Sequence, residues 1–305
     1  MNTWIIITLA AAFLQNLRSV FQKKLKSVMG TTGATFVRFG FGAPFALLFL
    51  FGLQALTGHP LPSPNAAFLG WVILAALAQI GAQALLVHLF SLRNFAVGTA
   101  YSRTEPAQAA VFSLLLLGEG MNAGAVAAII VSMIGVLLIS VARDPFSVKG
   151  LITSLNSRTA LIGMASGAGF GLAATGYRAA SLALGRTMAE PDFLIQAATV
   201  LVWAILLQSA LMLGWIFLKE PEELPRIRAA WKMAALVGLV GASASFGWFA
   251  AMTLQKAAIV KALAQVEMLL AFGSSVFIFR ERINWLELAG CGLIVAGILA
   301  LVISR

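Results

Sequence analysis

Two stretches of equal length decide how this chain is organised: AVGTAYSRTEPAQAAVFSLLLLGEGMNAGAVAAIIVSMIGVLLISVAR, residues 96–143, and AIVKALAQVEMLLAFGSSVFIFRERINWLELAGCGLIVAGILALVISR, residues 258–305. They align without a gap at a constant offset of 162, with eleven of the 48 positions identical. Matches of Ala and Leu are cheap in so apolar a chain, so the weight falls on four pairs: Glu105 with Glu267, Glu119 with Glu281, Asn122 with Asn284 and Gly135 with Gly297. Four uncommon residues in one register mark an internal repeat.

Working outward, apolar stretches bounded by charge, Pro or Gly give spans at 3–21, 31–56, 66–90, 95–117, 123–142, 159–184, 192–218, 230–254, 258–279 and 284–303. Each is long enough to cross roughly 30 Å of hydrocarbon as a helix, the form that satisfies its own backbone where water is absent. The composition agrees: 60% of the 305 residues are hydrophobic and 10% charged, with mean hydropathy +0.94, whereas soluble domains carry about 25% charged residues. The longest pieces between spans, 57–64, 143–158 and 219–228, are too short for an extramembrane domain. Met1-Asn2-Thr3-Trp4 lacks the basic start of a secretory signal, so the first apolar stretch is expected to stay as a span.

The offset maps spans four and five onto nine and ten, so the repeat unit is five helices, 1–150 and 151–305. An odd number of spans inverts the second copy in the membrane. The expected fold is therefore an all-α polytopic membrane protein, ten transmembrane helices in two inverted five-helix repeats.

Basic residues set the orientation. Thirteen Lys and Arg fall in the loops after spans one, three, five, seven and nine (Lys23, Lys24, Lys26, Arg93, Arg143, Lys149, Arg158, Lys219, Arg226, Arg228, Lys232, Arg280, Arg282), against Arg186, Lys256 and Arg305 on the other side. The positive-inside rule puts those five loops in the cytoplasm and both termini outside. The net charge of +10 is thus spent in short topogenic clusters, which argues against nucleic acid as a partner. One cysteine, Cys291, makes no internal disulfide, and with only His59 and His88 no ordinary Cys/His metal site is expected. No phosphate loop, nucleophile triad or cofactor motif is present in the sequence, so an enzyme is not expected.

Leu114-Leu115-Leu116-Leu117-Gly118-Glu119, followed by Met121-Asn122 and a span ending Gly135-Val136-Leu137-Leu138, and its echo Phe277-Ile278-Phe279-Arg280-Glu281-Arg282-Ile283-Asn284 before Gly297-Ile298-Leu299, resemble the Gly-Glu-Arg turns of EamA-type carriers of the drug/metabolite transporter superfamily. Arg38, in Phe36-Val37-Arg38-Phe39, matches an arginine such proteins usually carry in their second helix, while Gly118-Glu119-Gly120 departs from the pattern by lacking the basic residue. The resemblance implies ten helices, a central cavity between halves, alternating access and export. It also implies both termini in the cytoplasm, opposite to the charge count, so orientation stays open.

Charged residues at membrane depth are costly and default to functional hypotheses. Arg18, Arg38, Arg103, Glu105, Arg178, Lys261 and Glu267 fall inside the expected spans. Glu105 and Glu267 occupy equivalent positions near the middle of their helices, where two carboxylates facing one cavity would exchange protons or hold a cation. The structural alternative is an ion pair, for Glu105 with Arg38 or Arg103. Pro106 is expected to kink span four and to expose the Ser102 carbonyl. Tyr101, Glu105 and Gln108 share a helical face, as do Gln79 and Gln83, and Gln15, Asn16 and Arg18 form a polar patch in span one; such clusters line solute or water, or bond between helices. Tyr177 and Trp248 are candidate aromatic walls for an organic cation and equally routine packing residues. Gly163, Gly167 and Gly171 form a smooth stripe suited to close helix packing. His88 is read as a structural or interfacial residue, with a proton relay as its alternative.

The substrate-binding candidates are thus Asn16, Arg18, Arg38, Gln79, Gln83, Tyr101, Arg103, Glu105, Tyr177, Trp248 and Glu267, with Glu105 and Glu267 as proton-coupling groups. The mix of acids and bases favours a zwitterion. The expected function is secondary transport of small polar metabolites such as amino acids across the inner membrane, by a monomer or homodimer working among membrane lipids without a cofactor, with protons as the coupling ion. The alternative is a multidrug or quaternary-ammonium exporter.

Overall fold

The computed structural model describes residues 3–25, 27–89, 101–141, 157–277 and 284–303, and every regular element among them is a helix. Outside the described residues fall the second motif turn with Glu281, the start of span four at 95–100, and Lys26, Arg93, Arg143, Lys149, Arg280, Arg282 and Arg305. In chain order the helices are α1 (Thr3–Leu25), α2 (Thr31–Gly40), α3 (Ala43–Thr57), α4 (Ala66–Leu89), α5 (Glu105–Leu117), α6 (Ala123–Val141), α7 (Arg158–Gly185), α8 (Phe193–Lys219), α9 (Glu223–Ala229), α10 (Trp231–Leu254), α11 (Ala257–Leu263), α12 (Val266–Phe277) and α13 (Trp285–Ile303).

Seven stretches among the described residues are long and apolar enough to cross a membrane: Thr3–Gln22, Thr31–Thr57, Ala66–Leu86, Arg158–Gly185, Phe193–Lys219, Trp231–Leu254 and Trp285–Ile303. Glu105–Leu117 and Ala123–Ile139 are shorter apolar helices. Large apolar side chains point outward, Ile6, Leu115 and Ile303 being at least 70% exposed, while the buried set is rich in alanine. This inverts the soluble pattern. Hydrocarbon tails solvate leucine as well as protein does, so helices in a bilayer associate through small residues that let backbones approach.

The expected spans 31–56, 95–117 and 258–279 are not single helices. The second breaks between α2 and α3 at Phe41 and Gly42 because Pro44 has no N–H and its ring would strike the Gly40 carbonyl. The break is seated on α10: a Cβ on Gly238 would fall on the Phe41 carbonyl, and one on Gly42 would lie 3.4 Å from the Gly238 carbonyl oxygen. The fourth is interrupted by a turn at Arg103 and Thr104 ahead of Pro106, and the ninth by a turn at Ala264 and Gln265. Where the first copy has Pro106 the second has Met268, so the two breaks share a register without sharing a proline.

The helices form two compact units, Met1–Leu77 with Gly176–Leu254, and Ala78–Thr175 with Gln255–Arg305. Each combines residues of both expected repeats, and the segment Ala78–Thr175 runs across the boundary expected at 150. In the first unit α1 packs along α10, with Gly247 set against Ala11. At one end of it, Leu25, Met29, Phe36, Val37, Ile216 and Ile227 form an apolar cluster, beside which the seven-residue α9 holds Glu223. That buried carboxylate accepts from the Gly30 N–H at 2.8 Å, just ahead of α2, and pairs with Arg226 at 2.5 Å. In the second unit α6 crosses α13 through glycine: a Cβ on Gly135 would stand 2.5 Å from the Gly290 carbonyl oxygen, and one on Gly297 2.7 Å from Ser132 Cβ.

Candidate substrate site

In the first unit, α1 and α2 bring Arg18 and Arg38 together over a glycine. A Cβ on Gly241 of α10 would meet Arg18 Cδ at 3.3 Å and Arg38 Cγ at 3.4 Å, so both aliphatic stems lie on the same bare stretch of backbone. Arg18 is 8% exposed; Arg38 is half-buried, its guanidinium carbon 5.0 Å from the Phe39 ring centre. The Tyr177 ring lies tilted by 35° against Phe249 with centroids 4.3 Å apart, and its hydroxyl accepts from Gln208 Nε2 at 3.2 Å. Trp248 donates to Gln15 Oε1 at 2.9 Å, and Asn16 beside it on α1 is partly buried.

The acids of this unit are placed elsewhere. Residues 1–77 contain no Asp or Glu. Asp192 lies 3.4 Å from His59 Nδ1, Glu220 accepts from Thr32 and Trp215, Glu223 holds Gly30, and Glu190 and Glu222 are exposed. Arg178 has a structural assignment: its Nη1 donates to the carbonyls of Met252 at 2.6 Å and Thr253 at 3.3 Å, covering the C-terminal end of α10.

In the second unit, Glu105 and Glu267 stand not at helix centres but in the first turns of α5 and α12, directly after the two breaks. A first turn carries backbone N–H groups with no intrahelical partner and the positive end of the helix dipole, a setting that favours a carboxylate. Glu105 pairs with Lys261 of α11 at 2.8 Å, each side chain 22% exposed, rather than with Arg38 or Arg103. Glu267 is partly exposed.

The break also separates Tyr101 from Glu105 and Gln108, so the three do not share one continuous helical face. Tyr101 is buried, and the turn residue Arg103 is exposed. Thr104 Oγ1 donates to the Tyr101 carbonyl at 2.7 Å and accepts from Gln108 Nε2 at 2.8 Å. Ser102's carbonyl is covered rather than presented to a ligand: a Cβ on Gly167 of α7 would lie 2.8 Å from it. Gly171 likewise lies on the α5 backbone at Ala109, which is the packing role expected of that stripe. Gln79 and Gln83, one turn apart on α4, are partly buried, and His88 is exposed.

Sequence reasoning did not anticipate Gln265, 8% exposed, whose side chain accepts from Ser132 of α6. Its position two residues before Glu267 and four after Lys261 was the available signal. The offset places Gln265 opposite Arg103, so the repeat did not mark it.

A family model described as the EamA-like transporter family matches residues 2–141 and, a second time, residues 160–303. The chain belongs to the EamA-like transporter family. EamA proteins are part of the drug/metabolite transporter superfamily, so this one is a multi-pass membrane transporter built on a two-repeat plan. None of the curated proteins matches the chain. A solved structure described as "Crystal structure of protein" is similar with a TM-score of 0.72 at 16% identity, covering 99% of this EamA chain and 97% of the other. That likeness establishes the fold and leaves the solute to the side chains.

Proposed function

We propose that this EamA protein is a secondary active transporter of small zwitterionic metabolites, amino acids foremost, exporting them across the inner membrane by alternating access. The observation that carries the reading is the Glu105–Lys261 pair at 2.8 Å, both members a fifth exposed at the broken helices of the second unit. Broken helices at membrane depth are where carriers bind solute, because only there are backbone and charge available without being exposed to lipid. A site with one acid and one base suits a solute bearing both charges. Gln79, Gln83, Tyr101 and Arg103 of the same unit serve the solute's polar ends, and Glu267 carries the coupling proton.

The test is counterflow in liposomes containing the purified protein, with amino acids, organic cations and organic anions offered in turn. Amino-acid exchange that is absent from empty vesicles supports the reading; exchange of cations or anions alone refutes it. An imposed pH gradient then addresses coupling: it drives flux in the parent and not in Glu267→Gln, and unchanged proton dependence in that variant removes Glu267 from the mechanism.

One observation favours a second reading, export of quaternary ammonium compounds or drugs. Tyr177 and Phe249 lie with ring centroids 4.3 Å apart, a pair of aromatic faces suited to a cation. Replacing Arg18, Arg38 and Arg103 one at a time by Gln separates the two readings. Loss of amino-acid flux supports the first; cation resistance that survives all three changes in a protein without amino-acid flux supports the second.

A further inference from the structure

We propose that Glu105, Gln108, Lys261 and Gln265 form a binding site for the α-amino acid group itself, in which the zwitterion lies against the internal Glu105–Lys261 pair. The assignment rests on the amino-acid carrier reading above and goes beyond it by naming which atoms meet which end of the solute.

Two amides, each with one buried atom, support it. Gln108 follows Glu105 by three residues on α5, close to one helical turn. The direction of its amide is fixed by its neighbour: Thr104 spends its hydrogen on the Tyr101 carbonyl and can only accept from Gln108, so the Gln108 nitrogen is used and Oε1 is the remaining group. That oxygen is buried and has no hydrogen-bond partner among the described residues. Gln265 follows Lys261 by four residues, in the turn between α11 and α12. Its oxygen accepts from Ser132, and Nε2 is buried with no partner among the described residues. A buried amide atom left without a partner is costly and is uncommon unless something else supplies the bond.

The four groups sort by chemistry. Glu105 and Gln108 Oε1 are acceptors on α5; Lys261 and Gln265 Nε2 are donors on α11 and the turn that follows it. An ammonium group needs acceptors and a carboxylate needs donors. An α-amino acid carries both on one carbon, held about as close together as the two members of the protein's own pair. Laid against that pair head to tail, its ammonium meets Glu105 and Gln108 and its carboxylate meets Lys261 and Gln265. Charges then alternate around a square, and both amides are satisfied. An amine alone leaves Lys261 and Gln265 unmatched, and an acid alone leaves Glu105 and Gln108 unmatched. Moving the amine to the far end of the carbon chain spreads the charges beyond the span of the pair.

The experiment uses the full-length purified carrier. The twenty common amino acids are screened by thermal shift, and the one with the largest effect is compared with its decarboxylated amine, its deaminated acid and 4-aminobutyrate. Binding and liposome flux are then measured for Gln108→Leu, Gln265→Leu and the doubly neutral Glu105→Gln/Lys261→Met. Expected results are stabilisation by the amino acid only, a loss of roughly tenfold or more in affinity for each glutamine variant, and no binding or flux in the double variant even though it melts near the parent temperature. A pair that only holds the fold behaves differently, because its joint neutralisation is often tolerated. Flux retained in the double variant, or equal stabilisation by amine or acid alone, overturns the proposal while leaving amino-acid transport standing. If the double variant does not fold, the glutamine variants decide, and parental affinity in both overturns it. Failure of all twenty amino acids to bind or move in the parent overturns the carrier reading and this site with it.

Discussion

Substituting Gly290 by Ala while substituting Gly292 in a parallel variant tests whether α6 and α13 are held together by backbone contact. A Cβ on Gly290 would stand 2.6 Å from the Gly135 carbonyl oxygen, 2.7 Å from Ile139 Cγ1 and 3.1 Å from the Ile139 nitrogen. Two of these three atoms are backbone, which cannot rotate away, so the helices must separate by several tenths of an ångström. That movement also loosens Gly297 from Ser132 one crossing further along. Overpacking of this kind costs about 3 kcal/mol, the upper end of the usual range, less the roughly 1 kcal/mol that Ala gains over Gly in a helix. Gly292, two residues on, has nothing within 4 Å of its Cβ position and takes only the gain. The two variants should therefore differ by about 3 kcal/mol, with G290A melting roughly 4 to 8 °C below the parent and G292A at or slightly above it. Intrinsic tryptophan fluorescence on purified protein reads this directly. If G290A melts with G292A, the glycine crossing does not hold these helices and the packing account of Gly135 and Gly297 fails.

Two further outcomes follow from single contacts. Glu223→Ala leaves the partly buried Gly30 N–H without its acceptor and removes the partner of Arg226, which should cost about 1 to 2 kcal/mol and appear as faster proteolysis in the connection around α9; parental resistance counts against a latch there. Arg178→Gln uncovers the carbonyls of Met252 and Thr253 at the end of α10, a loss of about 2 kcal/mol, and Arg178→Lys should recover part of it. Lost flux in Arg178→Gln at unchanged melting temperature would instead move Arg178 from scaffold to solute path.

The membrane class and the repeat were legible because both depend on properties that survive without neighbours: the length of an apolar run, and rare residues in register. Gly135 and Gly297 show why the register was informative, since each is needed where α6 and α13 touch. The helix breaks were less legible. Pro106 and the polar run Ser102-Arg103-Thr104-Glu105 announced a distortion in the first copy, but at Ala264 and Gln265 only an isolated glutamine interrupts the apolar sequence, and Pro44 stands in a run that reads as one span. The surface on which the break beside Pro44 packs is the α10 backbone at Gly238, more than 190 residues away in the chain. The partner of Glu105 was hidden for the same reason. Lys261 was visible as a membrane-depth charge, yet only the packing of α11 on α5 pairs the two.

The shared register of the two glutamates bears on whether they hold the fold or handle solute. Both follow a break, and the turn ahead of each takes up N–H groups there: Ala107 and Gln108 donate to the Thr104 carbonyl, Glu267 to that of Ala264 and Met268 to that of Gln265. The positive end of the helix dipole still favours a negative charge in a first turn, and that alone accounts for an acid at both positions. The dipole does not account for Lys261. A cation 2.8 Å from Glu105 weakens the negative charge offered to the start of α5, and burying it at the bilayer's depth carries a desolvation cost of its own. A fold that needed only a cap would be better served without the lysine. Under the proposed role a solute needs both charges at once, and that is why removing the two together discriminates between the roles where removing either alone cannot.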